Sequence, residues 1–294
     1  DYKPEDVVAK GRVGPGQILV ADTETGEVLH TQDIDDRLKN RKPYKKWLKE
    51  NALRIQSTLT GDDGCIERLS DDALKVHQKM FQVSFEERDQ VIRPMAENAQ
   101  EAVGSMGDDT PMAVLSARER SLYDYFRQKF AQVTNPPIDP LREAIVMSLE
   151  VDLGGEANLF EETEAHARRV SLTSPVLSQG KFEAVLALNE SGFKVEVLDA
   201  TYNPEKMSLK DAIATLCEEA GAHVAGGASV LVLSDRSFGD DRVPIHSLLA
   251  TGAVHNHLIA HGLRADSNLI VESASARDSH QFAETLARVV AVVG

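Results

Sequence analysis

The sequence predicts an α/β fold: a helical amino-terminal part over residues 51 to 165, then βα units over 166 to 294 forming a partial, reduced (β/α) barrel-like parallel sheet. Three observations predict it. Helix signals separated by Gly, Pro and Asp clusters fill the first part. From Arg169 onward, apolar β-branched runs at Val170 to Leu177, Val195 to Leu198, Val230 to Leu233 and Leu269 to Val271 are each followed by a helical stretch. Four such units imply a parallel sheet covered by helices with right-handed crossovers, and they amount to half of an eight-stranded barrel.

Ahead of these parts, residues 16 to 30 read as a hairpin: Gln17 to Val20 is apolar, Asp22 to Gly26 holds turn residues, and Glu27 to His30 resumes an extended pattern. The basic and aromatic segment Arg37 to Glu50, with Tyr44, Trp47 and Leu48, reads as a short amphipathic helix starting after Pro43. Ser84 followed by Glu87 forms a capping box, because the serine oxygen and the glutamate satisfy amide donors that a first helical turn leaves free. Leu122, Phe126, Phe130 and Val133 recur at helical spacing, which predicts one buried helix face. Pro136, Pro137 and Pro140 stop that helix and set a rigid turn, after which helix resumes over Leu141 to Leu149. The helix after Ser208 has the clearest pattern. Leu209, Ala212, Ile213, Leu216, Cys217 and Ala220 form one apolar stripe, with Ser208 and Asp211 placed to cap it.

A chain of 294 residues, 42% hydrophobic and 27% charged, belongs among soluble globular proteins and is long enough for a sizeable core. Its net charge of −15 argues against a nucleic-acid groove, which needs clustered Lys and Arg to displace counterions. Residues 1 to 50 carry ten basic and ten acidic side chains, so the excess of acid lies entirely in residues 51 to 294. Two cysteines, Cys65 and Cys217, make neither a disulfide framework nor a four-cysteine metal site, and a reducing cytoplasm is the expected compartment. No run of about 18 apolar residues occurs and the amino end lacks signal architecture, so no membrane association is expected. The absence of a starting Met and the closing apolar run Val289 to Gly294 suggest a piece of a longer polypeptide.

Parallel βα proteins place their sites at the carboxyl ends of the strands, which singles out Asp199, Ser234, Asp235, Arg236, Glu272 and Ser273. A functional reading gives Asp235 or Glu272 proton transfer and Arg236 an anionic substrate. The plainer one is favoured, because polar residues at strand ends are usual: Asp235 pairs with Arg236, and Glu272 caps the helix near Asp278. His257 and His261 sit one helical turn apart with His255 nearby, yet a third metal ligand is missing and Asn256 cannot act as a base, so solvated or interface histidines are expected. Gly11, Gly14 and Gly16 lack the preceding strand and following helix of a phosphate loop, and Pro15 removes an amide donor, which leaves a turn. Asp108 and Asp109 are adjacent in a turn and diverge, so loop structure is preferred to a cation site. Cys217 on the apolar stripe is expected to be an inert buried thiol, and Cys65 has no neighbouring base. Tyr123, Tyr125, Phe126 and Phe130 are taken as core.

The blocks Gly104-Ser105-Met106-Gly107-Asp108-Asp109-Thr110-Pro111 and Gln132-Val133-Thr134-Asn135-Pro136-Pro137-Ile138-Asp139-Pro140-Leu141-Arg142-Glu143 resemble the large subunit of glutamate synthase. The similarity is to its central domain, which joins the glutamine-hydrolysing half to the flavin half. It continues in order through Gly11 to Gly16, Leu172 to Leu177, Val232 to Arg236 and Val271 to Arg277, and so covers nearly the whole chain. The resemblance implies a division into residues 1–50, the tail of an amidotransferase region, and residues 51–294, a central domain like a reduced version of the flavin barrel. It implies a parent enzyme, of the bacterial NADPH-dependent type, that makes two glutamates from glutamine and 2-oxoglutarate through FMN and an iron–sulfur cluster. It also implies partners: the amidotransferase and FMN-binding domains of the same polypeptide and a small electron-transferring subunit. The central domain would hold the two active sites in register and form wall of an ammonia tunnel.

The family's glutaminase uses a cysteine at the amino terminus, where this sequence has Asp1, and two distant cysteines cannot bind an iron–sulfur cluster. The flavin barrel would lie beyond Gly294. No catalytic, cofactor-binding or metal residue is therefore expected within the chain, and Asp235, Arg236 and Glu272 are expected to form a contact with a neighbouring domain. The alternatives are a free-standing small-molecule-binding βα enzyme with its site at the strand carboxyl ends, and a pure interaction module.

Overall fold

A computed structural model describes residues 3–56, 69–104, 106–107, 110–111, 113–117, 119–129, 139–191, 193–289 and 291–293. The expectations for Cys65, Asp108, Asp109, Phe130, Val133, Pro136 and Pro137 lie outside the described residues.

Strands β1 (Leu19–Ala21) and β2 (Val28–His30) form the expected antiparallel hairpin. Its turn is organised by Asp22, whose Oδ1 accepts from the amides of Glu24 and Thr25, and it closes through Gly26 in left-handed backbone. A helix that the sequence pattern does not announce comes after it, α1 (Thr31–Asn40), whose apolar face consists of little more than Ile34 and Leu38. The expected helix after Pro43 is α2 (Tyr44–Asn51), and strand β3 (Leu53–Ile55) comes next. Arg41 and the Tyr44 hydroxyl both meet Glu162, and Asn51 Nδ2 donates to Glu164 at 3.0 Å.

Helix α3 (Asp71–Met80) is capped by Ser70. Ser84 caps α4 (Phe85–Glu87) by accepting from the Glu87 amide, and helix continues as a π-helical turn at Arg88–Ile92 and as α5 (Arg93–Asn98). The capping box is only half made. The Glu87 carboxylate reaches across to Arg277 instead of back to the Ser84 amide, since a guanidinium offers it two charged donors.

The helix expected around Leu122 to Val133 is absent over its described part. Leu122–Tyr125 is one 3-10 turn, and Phe126 is extended. Arg127 bridges Gly107, whose positive φ and lack of a side chain are both required: a Cβ there would lie 2.5 Å from the Arg127 Cα. Of the aromatic group only Tyr123 is buried, whereas Tyr125 and Phe126 are exposed, so the core assignment holds for one residue of the three described. Helix α6 (Pro140–Val146) resumes with Asp139 as its cap and leaves Leu141 and Ile145 in solvent.

Two larger sheets and one short antiparallel strand pair make up the rest. The first has order β3-β5-β4, with β4 (Val151–Leu153) antiparallel and β3 parallel to β5 (Val170–Leu172). The first of the four expected βα units thus belongs to a separate sheet, because its strand ends at Leu172 and Pro175, lacking an amide donor, breaks the ladder three residues later. After α7 (Gln179–Leu186) come β6 (Val195–Asp199), the short β7 (Thr201–Tyr202), α8 (Leu209–Ala225) and β8 (Val230–Ser234). The short β9 (Val243–Pro244), α9 (Ser247–Ala260), β10 (Asn268–Glu272), α10 (Ser279–Leu286) and β11 (Ala291–Val293) complete the chain. Strands β11-β10-β8-β6, in that order, form an all-parallel sheet. Its fourth strand is the apolar run near residue 290, and among the described residues the sheet does not close into a barrel.

Alternation along the strands sorts the core into two layers. Leu231 and Leu233 of β8 join Leu269 and Val271 of β10 under α8 and α9, while Val230, Val232 and Ile270 face Leu153, Val170, Leu172 and Phe182. Ser208 caps α8 as expected, and Ala212, Leu216, Cys217 and Ala220 are buried, although Leu209 at the first turn stays exposed.

Candidate functional site

The register of the parallel sheet sets Asp199, Ser234, Glu272 and Val293 side by side at the carboxyl edge. Asp199 lies at one end of this row and is held apart from the rest, since Arg242 donates to its Oδ2 at 2.7 Å and Thr201 to its Oδ1. The centre is Glu272. It is buried, and it accepts from the Ser234 hydroxyl at 2.5 Å and from the Arg236 Nε at 2.7 Å, with a second guanidinium nitrogen at 2.6 Å. Arg236 also reaches Gln179 at the start of α7, and most of its side chain stays in solvent.

The expected Asp235–Arg236 pair is therefore replaced by Arg236–Glu272. The strand ends at Ser234 and the chain turns at Arg236, with the Phe238 amide donating to the Asp235 carbonyl, and this turn takes the guanidinium to Glu272 on the adjacent strand. Nor does Glu272 cap the last helix. Asp278 does so itself, accepting from the Gln281 amide at 2.8 Å.

Asp235 turns instead toward Ser273, whose hydroxyl donates to its Oδ2 at 2.5 Å. It borders a cavity of about 180 Å³ whose polar lining includes His246, Ser275 and Arg277 and whose apolar lining includes Phe81 and Ile245. Burial pushes the Asp235 carboxyl up to about 6, and the nearby Glu272 adds to this, against the pull of the Ser273 and Ala274 hydrogen bonds and of Arg236. His246 moves the other way. Burial, aided by Arg277, lowers it to about 4, and its Nδ1 accepts from the Leu248 amide, so Nε2 carries the proton of the neutral ring.

These two shifts oppose each other in acid. Asp235 binds its proton more tightly in the folded chain, so its contribution to stability is complete below pH 3.8 and is lost as pH rises through about 6. His246 contributes stability above pH 6.5 that is lost as pH falls through about 4. Asp235→Asn should therefore be about 2 to 3 kcal/mol more stable than the parent at pH 8 and equal to it in strong acid. With the opposing group gone, its stability should also fall more steeply on acidification. Urea melts across this range check both, and a variant less stable than its parent at pH 8 overturns the expectation.

Other candidates resolve into structure. His257 and His261 stack with ring centroids 4.2 Å apart, and His255 Nδ1 accepts from Arg264 at 3.1 Å. Among the described residues no group of three or more His, Cys, Asp or Glu is placed to hold a metal ion. Gly14 and Gly16 sit in a turn closed by the Gln17 side chain. Cys217 is buried, and burial together with Glu218 raises its thiol, as suits an unreactive core residue. Sequence reasoning missed His246, Ser247, Ser275 and the pairing of Glu87 with Arg277. Arg277 and the two serines at 273 and 275 lie within a recognised motif, but nothing local marks the partner of an ion pair so distant in sequence.

Comparison with known proteins bears on this arrangement as a whole. The family described as Glutamate synthase central domain matches residues 76–293, and the family of class-II glutamine amidotransferases matches residues 1–47. The chain is 42% identical over 94% of its length to "Ferredoxin-dependent glutamate synthase, chloroplastic" of Oryza sativa, covering 17% of that protein. It is 39% identical over 94% of its length to "Glutamate synthase [NADPH] large chain" of Azospirillum brasilense, and 37% identical over 96% to the protein of the same name in Bacillus subtilis. It covers 18% of each of these two, and so spans less than a fifth of these relatives.

Proposed function

We propose, from the premise that this chain belongs to the glutamate synthase central domain family, that it is the connecting scaffold of a glutamate synthase large subunit. It would hold a glutaminase region and an FMN-binding synthase region in register and form part of the wall of an ammonia tunnel between them. The observation that carries this reading is the order of the two matches along the chain, the amidotransferase match over 1–47 and then the central-domain match over 76–293. We divide the chain accordingly into an amidotransferase tail and linker, 1–50, and a central domain, 51–294. A tunnel wall must be dry and rigid, so that neutral ammonia meets no proton donor, and the two packed cores meet that requirement.

The described residues do not fit the cofactors of such an enzyme. Cys217 is sealed in the core on the buried face of α8, and a cluster needs several converging thiolates. At the carboxyl edge Arg236 and Arg242 are already engaged by Glu272 and Asp199, a poor setting for a flavin phosphate. FMN, the iron–sulfur cluster and a small electron-transferring subunit supplying NADPH-derived electrons belong, in this proposal, to the rest of a cytoplasmic parent enzyme. Among the described residues no helix is long and apolar enough to cross a membrane. The chain alone should show neither glutaminase activity nor flavin absorbance after purification. Flavin bound near stoichiometry overturns this.

In the complete enzyme, Asp235, Arg236 and Glu272 are proposed to contact a neighbouring domain. Arg236→Ala or Glu272→Ala should raise the ratio of glutamine hydrolysed to glutamate formed, or lower the melting temperature, while glutaminase chemistry persists. An unchanged ratio, turnover and melting temperature in both variants would remove this contact. The cavity beside Asp235 favours a second reading, a small-molecule site at the strand ends. A metabolite that raises the melting temperature of the isolated chain in proportion to its concentration would support it over the scaffold.

A further inference from the structure

The Asp235 carboxylate begins an unbroken line of hydroxyl groups that crosses the molecule. Ser273 Oγ touches Asp235 Oδ2 at 2.5 Å and Ser275 Oγ at 2.7 Å, and Ser275 Oγ touches Ser247 Oγ at 2.5 Å. Ser247 Oγ touches the Tyr123 hydroxyl at 2.7 Å, which touches Thr285 Oγ1 at 2.9 Å, and Thr285 ends the line on the Gln281 carbonyl at 2.9 Å. Both ends, a carboxylate and a carbonyl, are acceptors. Between them lie six links and five hydroxyl protons.

With Asp235 ionised, one link must set two lone pairs against each other, because five protons cannot fill six links. With a proton on Asp235 the line runs in one direction, each hydroxyl donating to the next and Thr285 to Gln281, and every link is filled. All six separations are hydrogen-bonded lengths, as the filled state requires; when Asp235 is ionised, Ser273 donates to it and the unfilled link falls further along the line. The line ties three pieces together: the edge after β10, the start of α9 with the buried side of α10, and the Leu122–Tyr125 turn, whose buried Tyr123 anchors the segment before it.

We propose that protonation of Asp235 fills this line and clamps the Tyr123 turn onto the βα part, and that ionisation opens one link and loosens the turn. The position of Asp235, pushed up to about 6 by burial, puts the change in the physiological range. The charged and titratable groups around it are Glu272 and Arg236 at the strand ends, Arg277 with its partner Glu87, His246 before α9, and His77, stacked on Phe238. Glu272 and Arg277 are already paired, and His246 is neutral above about pH 5. His280 reaches the Tyr123 carbonyl at 3.2 Å and needs its own control.

Hydrogen exchange of the intact chain reads the clamp through the amides of Asp124 and Phe126, which bond within the turn. After correction for intrinsic exchange, their protection should be about fivefold lower at pH 8 than at pH 5, the equivalent of one net hydrogen bond. Asp235→Asn, whose amide donates to Ser273 at every pH, should hold the turn at its low-pH protection throughout. Ser275→Ala cuts the line but leaves His280 in place, and should abolish the pH response. Equal protection of the parent chain at the two pH values overturns the proposal without need of any variant, as does a response that survives Ser275→Ala.

Discussion

Replacing Arg277 with Ala should destabilise the chain by about 3 kcal/mol, the lower part of the range for breaking a buried ion pair by removing one partner. Arg277 and Glu87 are each only 17% exposed and meet through two parallel bonds, 2.8 and 3.1 Å long. The loss comes less from the attraction forgone than from the Glu87 carboxylate, which is left without a counter-charge where water reaches it poorly. The variant with both residues changed to Ala should accordingly be more stable than Arg277→Ala alone. Chemical denaturation of the three proteins checks this ordering, and hydrogen exchange should show residues 84 to 98 released first. A double variant weaker than the single one would mean that packing of the arginine stem, not the stranded charge, decides the outcome.

Leu216→Ala should cost about 2 to 5 kcal/mol, the usual range for emptying a leucine-sized volume in a core that cannot collapse around it. Leu216 is 2% exposed, on the face of α8 that packs over Leu231 and Leu233. The neighbours there belong to a sheet fixed by backbone bonding and to a second long helix, α9, so little can move inward. A change under about 0.5 kcal/mol in denaturant melts would show that α8 rests loosely on the sheet.

Leu216 also shows what the sequence makes legible. The α8 stripe repeats every three to four residues between a serine cap and a closing glycine pair, so its face can be read directly. The strands at Val195, Val230 and Leu269 are equally readable, being short apolar runs before helices. The failures are of another kind. The spacing of Leu122, Phe126, Phe130 and Val133 matches a helix, yet Arg127 pairs with Gly107 from an earlier loop, and such a partner overrides local periodicity. The run at Val170 looks like the other strands but finds β3 and β4 beside it, because alternation says which face is buried and not which sheet buries it. At the edge, residue types point to Asp235, Arg236 and Glu272, but their pairing depends on the turn that follows β8, which no local pattern announces.

The contact of residues 175–177 with β11 governs how the molecule comes apart. Leu177 donates its amide to the Val292 carbonyl, and the Val292 amide donates to Pro175, so the chain leaving one sheet is tied to the edge strand of the other. One apolar layer, including Leu172, Phe182, Ile270 and Val293, is filled from both sides of that tie. The three-stranded sheet has no private reserve of burial, since Leu153, Val170 and Leu172 all belong to this shared layer, whereas the parallel sheet keeps a second layer under α8 and α9. Loss of the parallel sheet would therefore expose the core of the smaller one, so heating should yield no species that keeps the three-stranded sheet after the parallel sheet has melted.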